Sequence, residues 1–378
     1  VHIHYIYNNI DRDGLSLQQA ILLARHAKKW RNMNMEALMN EALERINRQY
    51  GIRLMLEKAR PGCVFPKVDV MGCFVRFNPK IRSFLTLYNL MLQFPSIDSE
   101  SVVFFRLYNL YLDCDAYPKA EVALDQLEKE VNQIIRKIDR RYVNSVTQSV
   151  ELQMLFILLH ESSHALFYYR PEIAAEFLAD ARRSVEEVQY LYTKGLPNRM
   201  KGYMDSMIPD GLPDDIRAEA SKEQQEKMRQ YGRQIFDFSG YLQSGGEGML
   251  EEFACDHLAW QQALVQYMEK AGMLGEAVLR SNINLLLTLH ILDYDKALRS
   301  IFTGEADEKQ INLVRDAGIR HAALRDCIWH FYKETYPADH SHEFLRQSEE
   351  RDERAKRLLL CSTFNHCLLY TSDAADEL

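Results

Sequence analysis

Apolar positions along much of this chain recur at every third and fourth residue, which is the spacing of a helix with one buried face. Leu15–Trp30 and Met35–Tyr50 carry that pattern and are predicted helices. Val1–Tyr7 alternates apolar and polar residues instead and reads as a strand. Gly51–Leu56 and Lys67–Phe77 are rich in apolar residues at short range and also read as strands. Val102–Leu112 fits strand or helix equally, and Asp113–Pro118 reads as a connector.

From Lys119 onward the pattern is strongly helical. Glu121–Arg141 places Val122, Leu124, Leu127, Val131, Ile134, Ile135 and Ile138 on one face. Val146–Tyr169 is a second predicted helix, and Pro171 opens a third that runs to about Lys194. Gly and Pro residues between 195 and 215 predict a loop, which either covers a cleft or simply connects. A polar helix is expected over Ile216–Arg233. Gly245–Gly248 then interrupts the chain before a helix over Met249–Lys270. Further helices are expected over 274–303, 308–334 and 341–359, with the charged run Arg346–Arg357 as a solvated face. No internal repeat is evident.

The fold class expected is therefore α+β and mainly helical, with a small mixed sheet. Residues 1–115 form a mixed region and 116–366 a helical core. Residues 367–378 stand apart, because Cys367–Glu377 resembles the conceptual translation of a transposase-type sequencing adapter. Val1–His4 lacks the basic start and apolar core of a signal peptide, and the absence of an initial Met suggests a start upstream.

Composition narrows the function classes. A hydrophobic fraction of 47% and a charged fraction of 26% suit a folded protein. The net charge of -8 argues against a nucleic-acid partner, since phosphate binding needs clustered Lys and Arg. No run approaches the roughly 20 apolar residues that span a bilayer, so no membrane segment is expected. Seven scattered cysteines form no C-x-x-C pair, which suggests a reduced, cytoplasmic chain.

The candidate chemistry lies at His160-Glu161-Ser162-Ser163-His164. Two histidines four residues apart share a helix face, so both imidazoles can reach one metal ion. The Glu after the first histidine projects beside that ion, where it can act as general base toward a water. The motif follows the apolar run Met154–Leu159 and precedes Ala165-Leu166-Phe167, so its helix is expected to be largely buried. Burying two His and a Glu without partners is costly, and an ion would satisfy them. The plainer alternative is a pair of hydrogen-bonded core histidines with a surface Glu.

A zinc enzyme needs a third ligand and an open fourth position. Glu252 and Asp256 share a face of the predicted helix Met249–Lys270. Glu252 could ligate the ion, while Asp256 receives the other ring N–H of a ligating His. Glu251 and His257 are the alternative ligands. The plainer reading is an acidic helix N-terminus.

The segment Glu252-Phe253-Ala254-Cys255-Asp256-His257-Leu258-Ala259 together with His160–His164 resembles the gluzincin peptidases. There H-E-x-x-H is followed by a helix bearing E-x-x-x-D, usually with Ala where Cys255 stands here. The resemblance covers two short segments separated by a long gap. It implies a zincin-like core, a Zn2+ cofactor, Glu252 as third ligand, Asp256 behind a ligating His, and a sheet edge that pairs with a peptide or protein substrate.

The function expected is peptide-bond hydrolysis through a metal-activated water, with Glu161 as general base. A metal-binding regulatory or defence protein on the same scaffold, acting on one specific partner, is an alternative. So is a helical protein with a chance motif. His321 and His330, near Tyr332, are candidate donors to a transition-state oxyanion. Tyr168, Tyr169, Tyr190 and Tyr192 read as packing. Cys255 has no evident base beside it in the sequence.

Overall fold

The computed structural model describes residues 35–93, 115–190, 247–271, 281–286 and 308–335, with a few single positions between 104 and 112 and at 346. Helix accounts for 81% of the described residues, and three short strands form one sheet, so the class is α+β and mainly helical. None of the helices is long and apolar enough to cross a membrane, among the described residues. The expected elements at Val1–Tyr7, Leu15–Trp30, 195–215 and Ile216–Arg233, and the segment 367–378, lie outside the described residues. So do nearly all positions of 341–359.

The chain divides into two units. The first draws on Val1–Leu90, Asp98–Phe177 and Ala254–Asn282. The second draws on Met91–Ile97, Leu178–Phe253 and Ile283–Leu378.

In the first unit, α1 (Met35–Tyr50) buries Leu38, Met39, Ala42, Leu43 and Ile46, as its spacing predicts. It ends at Gly51, whose φ of 67° is left-handed and whose N–H bonds Asn47 O at 2.9 Å. The Asn47 side chain brackets Leu54, donating to its carbonyl at 2.9 Å and accepting from its N–H at 2.8 Å. That pins the entry to β1 (Met55–Lys58), which starts four residues later than the expected strand Gly51–Leu56.

The expected single strand Lys67–Phe77 is instead two strands, β2 (Lys67–Asp69) and β3 (Phe74–Phe77). The cause is the turn between them. Asp69 Oδ1 accepts the Gly72 N–H at 3.0 Å, and Cys73 takes a left-handed φ of 57°. The strand order is β1-β3-β2, with β1 parallel and β2 antiparallel to β3. β2 is thus an edge strand, with Val68 opposite Val75.

Helix α2 (Ile81–Gln93) has no counterpart among the predicted elements. Its Ile81, Phe84, Leu85, Leu87, Tyr88, Leu90 and Met91 are all buried, so apolar residues surround most of the helix and blur its face. Val102–Leu112 is helical at each position described.

The expected helix Glu121–Arg141 is displaced. Helix α3 runs Tyr117–Lys137 with Pro118 in its first turn, so the expected connector Asp113–Pro118 ends at Ala116. Ile138 leaves the helix in an extended conformation, φ -98° and ψ 147°. Asp139 then precedes α4 (Arg140–Tyr169), a cap position that Asp favours, and its carbonyl accepts from Tyr142 at 3.0 Å.

Helix α4 is 30 residues long and carries the motif. Leu152–Phe156 and Leu158–His160 are buried in an almost continuous run. Gln153 sits in that core and its amide is satisfied: it exchanges bonds with Asn89 at 2.8 and 3.3 Å and donates to Ser281 O at 3.2 Å. Helix α5 (Pro171–Tyr190) follows, and Arg170 at the junction donates to Tyr50 O at 2.8 Å.

Helix α6 (Glu247–Ala271) begins two residues earlier than expected, so Gly248 lies inside it. Helix α7 (Glu308–Thr335) matches the expected 308–334. In the second unit Ile319, Leu324, Ile328 and Tyr332 of α7 are buried, as are Met249, Leu250 and Phe253. Tyr168, Tyr169 and Tyr190 are exposed rather than packed, because they fall on the outer faces of α4 and α5, and Tyr192 lies outside the described residues.

Candidate metal centre

The histidine pair sits on α4 as the spacing requires. The His160 and His164 rings meet edge to face with centroids 5.1 Å apart. His160 is buried and His164 half-buried. Ser162 and Ser163, between them, turn their hydroxyls inward and donate to Leu158 O and Leu159 O, each at 2.7 Å. Both serine hydroxyls are therefore satisfied within the helix and do not compete for the histidines.

Helix α6 supplies the partners. Asp256 is fully buried, and its Oδ1 lies 2.8 Å from His160 Nδ1. Cys255 is also fully buried, and its Sγ lies 3.5 Å from His164 Nδ1. Cys255 has no ring nitrogen near it along the chain, and the fold brings His164 to it across 91 positions.

Glu252 lies on α6 one turn before Asp256, on the same face of that helix. Glu251 is exposed, while the His257 ring stacks on Trp260 with centroids 5.8 Å apart and its Nε2 meets Gln261 Nε2 at 3.3 Å. In the second unit Arg320 Nη1 pairs with Glu252 Oε2 at 3.2 Å.

Two imidazole nitrogens and one carboxylate suit a borderline divalent cation with a fourth position for water or substrate. The buried Asp256 behind His160 matches the habit of ligating histidines, which donate their second N–H to a carboxylate. The residues thus fit a metal centre.

Glu161 is half-buried and points to the sheet. Its Oε2 accepts the Val68 N–H at 3.1 Å. Val68 is the middle residue of β2, so this N–H turns away from β3 and out of the sheet's edge. The edge strand and the motif glutamate are thereby joined.

The other candidates behave differently. His321 is buried, and burial, with a smaller contribution from Arg325, lowers its pKa to about 3, so it is neutral near pH 7. Tyr332 is buried. His330 is exposed and lies 3.5 Å from Asp326, forming with Glu187 a second group that could hold a cation. That group is largely at the surface, where such carboxylates gather without an ion.

Sequence reasoning missed the Val68 N–H, Cys255 Sγ and Arg320. A backbone donor leaves no residue signature. The other two are ordinary residues whose relevance depends on which helix face meets which. Comparison with protein-family models, curated proteins and solved structures finds no match to this chain.

Proposed function

We propose that this chain is a zinc-dependent peptidase built on a zincin-like core. The observation that carries the proposal is the pair His160 and His164 on one face of α4, ring centroids 5.1 Å apart, with the buried Asp256 2.8 Å from His160 Nδ1. Nδ1 of each histidine faces α6, at Asp256 for His160 and at Cys255 for His164. Nε2 of each ring is then the nitrogen that would hold the ion, with a Glu252 oxygen as third donor. A bound zinc ion would supply Lewis acidity, lowering the pKa of water toward 7 and polarising a scissile carbonyl.

Glu161 would accept the proton of the attacking water and pass it to the leaving amine. The Val68 N–H holds one of its carboxylate oxygens, which orients the group before substrate arrives. The substrate class proposed is a peptide or an extended segment of a protein. β2 is an edge strand next to the general base, and an extended chain can add to such an edge through main-chain hydrogen bonds.

The test is cleavage of a proteome-derived peptide library by the zinc-loaded chain, read by mass spectrometry. Glu161→Gln should retain zinc and lose cleavage by roughly 10²–10⁴-fold, the usual contribution of a general base. Cleavage that is undiminished in Glu161→Gln contradicts the proposal.

A further inference from the structure

The two histidines of the centre are held by different chemistry from the same stretch of α6. Asp256 Oδ1 stands 2.8 Å from His160 Nδ1, and Cys255 Sγ stands 3.5 Å from His164 Nδ1. Both α6 side chains are fully buried, so bulk water does not take either place. Consecutive residues on a helix point about 100° apart at 3.6 residues per turn, while His160 and His164 sit one turn apart. Adjacent residues of α6 can therefore meet successive turns of α4.

We infer that Cys255 is a positioning residue for His164, as Asp256 is for His160. The inference rests on the metal-centre reading above. A neutral histidine that gives one ring nitrogen to a metal keeps its proton on the other. For His164 that proton sits on Nδ1, and the sulfur of Cys255 is the acceptor that faces it. The contact fixes the tautomer and gives Nε2 to the ion. It does so without adding a buried second carboxylate beside Asp256.

The two supports are unequal. A carboxylate is a strong acceptor and raises the basicity of the ring it faces, whereas a thiol sulfur is a weak acceptor. His160 is thereby the firmer of the two imidazole ligands, and His164 the one whose hold on the ion is easier to alter. Cys255 acts through His164 and contacts neither substrate nor ion.

The experiment measures zinc affinity by competition with a chromophoric chelator, on the full chain and two variants. Cys255→Ala should weaken zinc binding about tenfold, the lower end of what loss of such a partner costs. Cys255→Ser, which keeps an acceptor at that position, should restore most of the loss. The melting temperature of each zinc-free variant shows whether it folds. In the cobalt-loaded wild type, Cys255 should give no sulfur-to-metal charge-transfer band.

Wild-type zinc binding that is unchanged in both variants overturns the inference and leaves the metal centre standing. A Ser variant as weak as the Ala variant also overturns it, as does a charge-transfer band, which would make Cys255 a ligand. A wild type that binds no zinc overturns the metal centre and this inference together.

Discussion

Asp256 Oδ1 lies 2.8 Å from His160 Nδ1, and the carboxylate is wholly removed from solvent. A buried carboxylate is tolerated only where a polar or charged partner meets it, and here the imidazole beside it belongs to the motif helix, 96 positions earlier. Asp256→Asn keeps the volume but replaces the charged acceptor with a weaker amide oxygen. The expected result is a loss of 10–100-fold in zinc affinity, measured by chelator competition, with far-UV circular dichroism unchanged. Unaltered affinity would show that the contact does not serve the metal.

The core that holds the motif helix makes a separate prediction. Gln153 is buried two turns before His160 and shares bonds with Asn89 and Ser281 O. Gln153→Ala removes a side chain and leaves the buried Asn89 amide short of a partner. Each buried polar group left unsatisfied costs about 1–3 kcal/mol. A double variant, Gln153→Leu with Asn89→Leu, should recover much of that loss, because both polar partners are removed together. Urea unfolding of the three variants checks the order, and a double variant less stable than Gln153→Ala would refute it.

The acid side of the stability profile should carry the signature of His321. Burial, then the nearby Arg325 charge, lowers its pKa to about 3 in the folded chain, against about 6.5 when unfolded. Above about pH 6.5 neither state binds the proton and the group contributes no pH dependence. Between that pH and about 3 the unfolded chain takes a proton that the folded chain refuses. Stability is therefore lost on acidification, by about 1.4 kcal/mol per pH unit from this one group. His321→Gln should flatten the fall in urea midpoint between pH 6 and pH 4.5 relative to wild type. Parallel profiles for the two proteins would show that His321 does not titrate in this way.

Much of the fold was legible where one helix face is buried and the other wet. Met35–Tyr50 and 308–334 are of that kind, and both match α1 and α7 closely. Helix α2 was not legible, because Ile81–Gln93 is buried over most of its circumference and shows no polar face to mark its period. The sheet was legible in composition but not in register. Nothing in Lys67–Phe77 signals a turn as strongly as the Asp69–Gly72 bond and the left-handed Cys73 that produce it.

At the candidate site, His160, Glu161, His164 and Glu252 were all nameable from spacing on two helices. α4 carries the first three and α6 carries Glu252. What joins those helices was not nameable. The Cys255 contact with His164 and the Val68 bond to Glu161 span 91 and 93 positions, and both depend on how the elements pack.

The central claim is that His160, His164 and Glu252 hold one metal ion. The most direct measurement is the zinc content of the purified chain by mass spectrometry, beside that of His160→Ala/His164→Ala. The wild type should carry one zinc per chain and the double variant none. A wild type without stoichiometric zinc, or a double variant that keeps it, would contradict the account.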